Sequence, residues 1–378
     1  MVIVKQVNGD KKGMRDFIDF PYSHYRQDEK WCPPLKIERK FFFSKKNPFM
    51  RHSRIAFFVA YQENRPVGRV TAHMDEIFND YHKTRQGFFG FFESVESAET
   101  AEKLMRSCEN WIGSQGMNSL IGPFNFSTNH EVGFLIKGFD RPPMLMMPYT
   151  KKYYPELLYP LGYKKEKELL AFRLDKDTPI PDLFRLMADR IKKEVGDSVR
   201  LRNLDMKNLK SELRIILDIY NDAWSKNWGF VPMTDGEIDS MAWQLKLFAM
   251  TEFIYILFKE GEPAAFLLML PDLNEGLIHI KSGKLFPTGI LKLIFFRKYI
   301  RSGRVLLMGV KKKFRNQGLD ILLYSRMIKD GFSKTSDQQR NVELSWILED
   351  NKVMVNILKS LNADPYKKYL ILKKTLTP

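Results

Sequence analysis

Apolar positions along this chain change period in a regular order. Ile55 to Gln62 and Val67 to His73 alternate as strands around the turn-forming run Glu63-Asn64-Arg65-Pro66. An apolar strand follows at Gly87 to Phe92, then helical spacing from Ala98 to Ile112, then a short strand at Leu120-Ile121-Gly122-Pro123. The second half runs similarly. Val199 to Leu204 alternates, and Leu213, Ile216, Leu217, Tyr220 and Trp224 mark a helix over 209–224. Thr234 and Glu237 stand at capping-box spacing and predict a second helix there. Strands at 253–259 and 264–270 flank Glu260-Gly261-Glu262-Pro263. Next come a strand (304–310), a helix (317–334), a strand (342–348), a helix (352–361) and a strand (366–374). This order predicts an α/β fold with a mixed sheet, present twice.

The two copies meet at Lys176-Asp177-Thr178-Pro179-Ile180-Pro181-Asp182, where two prolines and a charge cluster read as a linker. The expected domains are therefore 1–177 and 178–378, in keeping with a 44.5 kDa chain too long for one ordinary core. At 44% hydrophobic and 28% charged residues the chain is not of the disordered class. No apolar run approaches the roughly 18 residues of a spanning helix, and the first residues do not read as a signal peptide. Cys32 and Cys108 alone make no disulfide framework, which points to a reducing, cytoplasmic setting. The net charge of +16 favours an anionic partner without choosing among nucleic acid, a phosphate-rich ligand and a membrane surface.

The most informative segment is Leu306 to Leu323. A buried apolar strand ends at Met308-Gly309-Val310, a basic loop follows (Lys311, Lys312, Lys313, Arg315, Asn316), and a helix opens near Gln317-Gly318-Leu319-Asp320. Amides at a helix start have no intrahelical partner, and the helix dipole adds positive charge, so such a junction is built to hold a diphosphate. The matching loop of the first half carries Glu93, Glu96 and Glu99 and no glycine, and three carboxylates repel a diphosphate.

Val310, Phe314, Arg315, Gly318, Leu319, Leu322 and Leu323 fall at the spacing of the GNAT acyl-CoA motif, R/Q-x-x-G-x-G/A, with Asp320 departing from its last small position. Further runs extend the resemblance over nearly the whole chain. They are 87–93, 122–127, 138–143, 221–224 with 227–232, and 345–351. Together they resemble a tandem-GNAT bacterial family that includes the bacterial ceramide synthases. The resemblance implies two GNAT-like domains, the first a degenerate acceptor side, the second holding acyl-CoA as co-substrate with no metal. It implies transfer of a fatty acyl group to the amine of a sphingoid-type long-chain base. The expected CoA contacts are Met308, Gly309, Val310, Lys313, Arg315, Asn316, Gln317, Gly318, Leu319, Asp320 and Asn351.

For the base, the strand 343–349 places Glu343, Ser345, Ile347 and Glu349 on one face, where acids in a covered sheet either serve as a base or pair with Lys or Arg. Glu349, nearest the loop, is the first choice and Glu343 the second. The helix position where GNAT enzymes often carry a tyrosine acid holds Leu358, and the usual Gly-Phe pair reads Asn362-Ala363; Tyr366 is a substitute. Asn125, Ser127, His130, His52 and Trp228 are the acceptor-side candidates. The six histidines show no metal-ligand spacing.

Ile290 to Arg301 is basic and strongly apolar, which fits first a core helix with snorkelling Lys and Arg and second a segment on an anionic membrane surface; Phe41-Phe42-Phe43-Ser44-Lys45-Lys46 is a weaker second patch. The partners expected are thus acyl-CoA, an amine acceptor of lipid character and the inner membrane face, with no nucleic acid, for a monomer or homodimer. The alternatives are a GNAT acting on a small polar or aminoacyl amine, and a non-catalytic basic binding protein.

Overall fold

The computed structural model describes residues 1–248, 253–285, 289, 291, 295, 300–333 and 341–376. The strands are β1 (Val2–Gln6), β2 (Ser53–Gln62), β3 (Arg65–Asp75), β4 (Gln86–Ser94), β5 (Ser119–Gly122), β6 (Phe124–Asn125), β7 (Glu131–Val132), β8 (Phe134–Lys137), β9 (Lys164–Asp175), β10 (Val199–Asn203), β11 (Ile254–Lys259), β12 (Glu262–Pro271), β13 (Ser302–Val310), β14 (Asn341–Leu348) and β15 (Asp364–Thr375). The helices used below are α1 (Lys11–His24), α2 (Lys36–Phe42), α3 (Glu76–His82), α4 (Ala98–Ser114), α5 (Tyr154–Leu158), α6 (Asp182–Val195), α7 (Leu209–Trp224), α8 (Asp235–Phe248), α9 (Asn274–Leu277), α10 (Leu319–Ser333) and α11 (Lys352–Ser360).

The chain divides into two compact units, one of residues 1–169, 276–298 and 367–378, the other of 170–275 and 299–366. The division falls inside β9, upstream of the 177/178 boundary read from the prolines, and neither unit is continuous in sequence. Pairing explains this. The end of β15 (Leu372–Thr375) runs antiparallel to β5, and Gly283 accepts the Lys36 N–H at the start of α2 (2.8 Å), so both late segments complete the first unit.

In the first unit the strands run β1-β2-β3-β4-β5, with only β4 and β5 parallel. Ala101, Leu104, Met105, Cys108 and Ile112 recur at helical spacing on α4 and pack on Ala56, Phe58, Val70, Ala72 and Phe89. The opposite face carries Phe17, Phe43, Phe49, Phe57, Phe91 and Phe126. The second unit repeats the plan as β14-β13-β12-β11-β10, with β9 beyond β14 and only β13 and β14 known to pair in parallel. Helices α7 and α8 cover one face, α6, α10 and α11 the other. The capping box forms as expected: Glu237 accepts the Thr234 N–H (2.8 Å) and the Thr234 hydroxyl accepts the Glu237 N–H (3.3 Å).

Both units share one irregularity. The register of β4 against β3 shifts between Arg69 and Thr71, and that of β13 against β12 shifts at Leu268/Met269, leaving Leu306 extra. A bulge bends its strand and sharpens the twist. Beyond it the parallel neighbours part: β4 pairs with β5 only over Gln86–Phe88, and β13 with β14 only over Ser302–Val305.

The two gaps differ in what fills them. In the first unit the chain turns into its own gap. The Phe91 N–H donates to Asn125 Oδ1 (2.7 Å), and Phe124 and Phe126 are 2% and 1% exposed. A Cβ on Gly90 would stand 1.8 Å from the Phe124 carbonyl oxygen, so only glycine allows this approach. Gly90→Ala is therefore expected to destabilise the protein by about 3 kcal/mol, the upper end for overpacking, because the obstacle is backbone. A denaturant midpoint unchanged by the substitution would contradict this packing.

Candidate functional site

The second unit's gap is lined by Leu306, Leu307, Met308 and Val310 from β13 and by Trp346, Ile347 and Leu348 from β14, all half-buried. The Lys311 N–H bonds Ala264 O (2.9 Å), and antiparallel alternation from that bond assigns Gly309 and Leu307 to β12. The backbone groups of Met308 and Val310 then turn toward the side where β14 has parted. Consistent with this, the Met308 carbonyl accepts the Trp224 indole N–H (3.0 Å) instead of a strand partner. Trp224 also meets Trp346 edge-on at 6.5 Å. Gly309 serves packing: a Cβ there would stand 3.1 Å from that of Ala223, so its lack lets α7 lie close on β13.

At the open end the basic loop is tied to the C-terminal end of α7. The Lys312 N–H donates to Asp222 (2.6 Å), its ammonium to Ser225 (2.8 Å), and Arg315 Nη2 to the Ala223 carbonyl (2.6 Å). Lys311 pairs with Asp218, Lys313 with Glu262, and Lys259 bonds Gln317. The cations expected to draw in an anion thus have local partners, and their long-range pull is smaller than their number implies. Asn316 and Gly318 take positive φ (60° and 71°), and the first bond of α10 runs from Leu322 N–H to Gly318 O (3.2 Å). The amides from Leu319 onward therefore open the helix without intrahelical partners. A Cβ on Gly318 would lie 2.4 Å from Ile191 of α6, so the glycine is needed for helix packing as well as for its φ. Asp320 lies one turn before Tyr324 on the same flank; burial pushes the Tyr324 hydroxyl up, and the Asp320 charge adds to the shift.

At the closed end stands a buried polar network that the sequence reading only half anticipated. Arg304 and Glu343 are register partners, 4% and 0% exposed, with Arg304 Nε 3.6 Å from Glu343 Oε1. Arg304 Nε also donates to Ser345 Oγ (2.8 Å), the Ser345 hydroxyl donates to Glu343 Oε1, and the half-buried Tyr366 hydroxyl donates to Glu343 Oε2. Arg304 was legible only as a charge inside an apolar strand facing a second strand with an acid. Six residues of strand rise separate Glu343 from Glu349, roughly 20 Å. Glu343 stands at the root of the gap beside Arg304, and Glu349 follows the end of β14, half-buried. Asn351 caps α11, accepting the Met354 N–H (3.2 Å), and Leu358 is fully buried in the core.

Of the acceptor-side candidates, four gather in the first unit. Asn125 bonds Phe91 and donates to Glu131 (3.1 Å); Ser127 Oγ and His130 Nδ1 are 3.0 Å apart. His52 Nδ1 donates to Asp75 (3.0 Å), and Phe49 packs against both His52 and His130. Trp228 lies half-buried in the turn after α7, in the second unit. Beneath the Asn125–Ser127 turn, His73 donates from Nε2 to the Phe126 carbonyl (2.8 Å). Burial, helped by His130, lowers its pKa to about 3; burial and Lys151 lower that of His24 to about 4. Both are neutral when folded, against roughly 6.5 unfolded. Their contribution is complete above that value and is lost as pH falls toward the folded values. Stability is expected to drop between pH 6.5 and 4 by up to ~1.4 kcal/mol per pH unit for each histidine. Denaturation midpoints across that range check it, and His73→Asn should flatten the slope by about one proton.

Among the described residues no group of three His, Cys, Asp or Glu could hold a metal, and no helix is long and apolar enough to cross a membrane.

No family model matches the chain. It is 36% identical to "Protein YghO" of Escherichia coli over 374 residues, covering 97% of this chain and 94% of that protein. It is 34% identical to "Bacterial ceramide synthase" of Caulobacter vibrioides over 368 residues, covering 96% and 95%. Among solved structures, a tandem GNAT protein from the clavulanic acid biosynthesis pathway matches with a TM-score of 0.57 at 11% identity, covering 100% of this chain and 99% of that one. A GCN5-related N-acetyltransferase from Sphaerobacter thermophilus matches at 0.55 and 11% identity, covering 100% and 96%.

Proposed function

This chain belongs to the tandem-GNAT N-acyltransferase family of these relatives, and from that premise we propose that it moves a fatty acyl group from acyl-CoA to the amine of a sphingoid-type long-chain base. The observation that carries this reading is the contrast between the two gaps. The first unit's gap is filled by Phe124 to Phe126, whereas the second unit's is lined by half-buried side chains and two outward-turned amides.

In this reading the free amides at the start of α10, from Leu319, take the diphosphate, with Asn316 and Gln317 beside it. The pantetheine arm runs down β13, and the amide of Val310 bonds one of its carbonyl groups. Met308 N–H polarises the thioester carbonyl, an oxyanion-type contribution of about 3 kcal/mol. The amine nitrogen attacks the carbonyl carbon, a C–N bond forms, the C–S bond breaks and CoA leaves as the thiolate. The amine's proton passes to Tyr366 Oη as Tyr366 gives its own to Glu343, to which it is already bonded. The thiolate of ordinary pKa, about 8.5, then takes a proton from solvent. Glu343 is preferred to Glu349 because the reacting carbon lies inward of the phosphates. The name of the Caulobacter relative favours a lipid amine as the acceptor.

The test is incubation with labelled palmitoyl-CoA and a panel of amines, with mass spectrometry of the products. An N-acylated long-chain base is expected. Acylation confined to small polar amines would overturn the acceptor. A melting temperature raised by DNA and not by palmitoyl-CoA would overturn the enzyme.

A further inference from the structure

Helix α2 leaves one face uncovered. Ile37 and Phe41, one turn apart, are 60% and 42% exposed, and Lys40, Lys45 and Lys46 around them are exposed too. Gly283, bonded to the first turn of α2, lies between the exposed Lys281 and Lys284, and Leu291, a few residues on, is 67% exposed. Most of Ile290 to Arg301 lies outside the described residues. Of the acids nearby, Glu38 sits 2.9 Å from Arg39 Nε, and Lys281 donates to the main-chain carbonyl of the exposed Glu29 (3.3 Å).

We propose that this face of the first unit docks on an anionic lipid surface, with Ile37 and Phe41 entering the headgroup boundary and the five lysines meeting lipid phosphates. Two large apolar side chains side by side in water are unfavourable, and a ring of lysines discourages burial against a second copy carrying the same ring. An anionic bilayer satisfies both at once: apolar insertion and attraction add, and the attraction weakens with salt. The docking stands apart from the identity of the acyl acceptor, although a lipid amine would be met at the same surface.

The test is co-sedimentation of the full chain with vesicles of phosphatidylglycerol and phosphatidylcholine, and of phosphatidylcholine alone. Binding to the anionic vesicles is expected to be at least tenfold tighter and to fall as salt rises. Ile37→Asp with Phe41→Asp, at exposed positions, should lower it at least tenfold, and Lys45→Glu with Lys46→Glu should lower it severalfold. Equal binding by the variants, or no preference for anionic vesicles, overturns the proposal. So does light scattering showing a wild-type dimer that the Ile37/Phe41 variant dissolves, since the occupant would then be a second copy. Because vesicle binding needs no catalysis, its failure and a failure of the acyl-transfer reading are separate results.

Discussion

Glu343→Gln is expected to abolish most turnover while also destabilising the fold. The carboxylate is fully buried and receives Ser345, Tyr366 and the nearby Arg304 guanidinium. The amide replaces one acceptor oxygen with a donor, so the Ser345 or the Tyr366 hydroxyl must turn to accept from it, and Arg304 is left buried without its counter-charge. Breaking a buried pair in this way costs about 3–5 kcal/mol. Losing a proton acceptor costs about 10²–10⁴-fold in kcat. The two effects separate in a cycle. Arg304→Met combined with Glu343→Leu should recover most of the stability, as apolar replacement of both partners does, and none of the activity. Full activity in a folded Glu343→Gln enzyme would remove Glu343 from the chemistry and leave it a structural acid.

Gly318→Ala should weaken acyl-CoA binding more than any other single-methyl change in the loop. The position combines φ of 71° with a Cβ site 2.4 Å from Ile191. A left-handed backbone costs a non-glycine residue roughly 1–3 kcal/mol. The Cβ site meets the Cδ1 end of the half-buried Ile191 side chain, which must turn aside or lift α6 from α10. Relief of either strain swings the amides that open α10, so affinity for palmitoyl-CoA should fall at least tenfold in calorimetric titration, roughly 1.4 kcal/mol. Ile191→Ala in the Gly318→Ala background restores the space and not the φ, and should recover stability in part. Unchanged affinity in Gly318→Ala would mean that the diphosphate does not rest on this turn.

Much of the second unit was legible because its apolar periods are clean. The expected helix over 209–224 is α7, and the expected strands at 253–259, 304–310 and 342–348 are β11, β13 and β14 within two residues. The first unit's opening was not. Residues 11–24 and 36–42 form α1 and α2; Gly13, Phe17, Phe20 and Pro21 recur at helical spacing on α1 but include a glycine and a proline, and the consecutive Phe41, Phe42 and Phe43 carry no period. The discontinuous units were invisible for a related reason: an isolated strand such as β15 advertises its burial and not its partner.

What the sequence determined by itself is the order of elements, the strand-loop-helix junction at Val310 to Leu319 and the acidic character of the matching first loop. These are local properties, written in period, capping residues and charge. Tertiary structure alone decided that Phe124 to Phe126 fill one gap while, among the described residues, half-buried side chains line the other, that Arg304 and Tyr366 both meet Glu343, and that the loop lysines are spoken for. Each of these depends on which strands become neighbours and in what register, and a register shift of one residue would turn every one of those side chains to the other face.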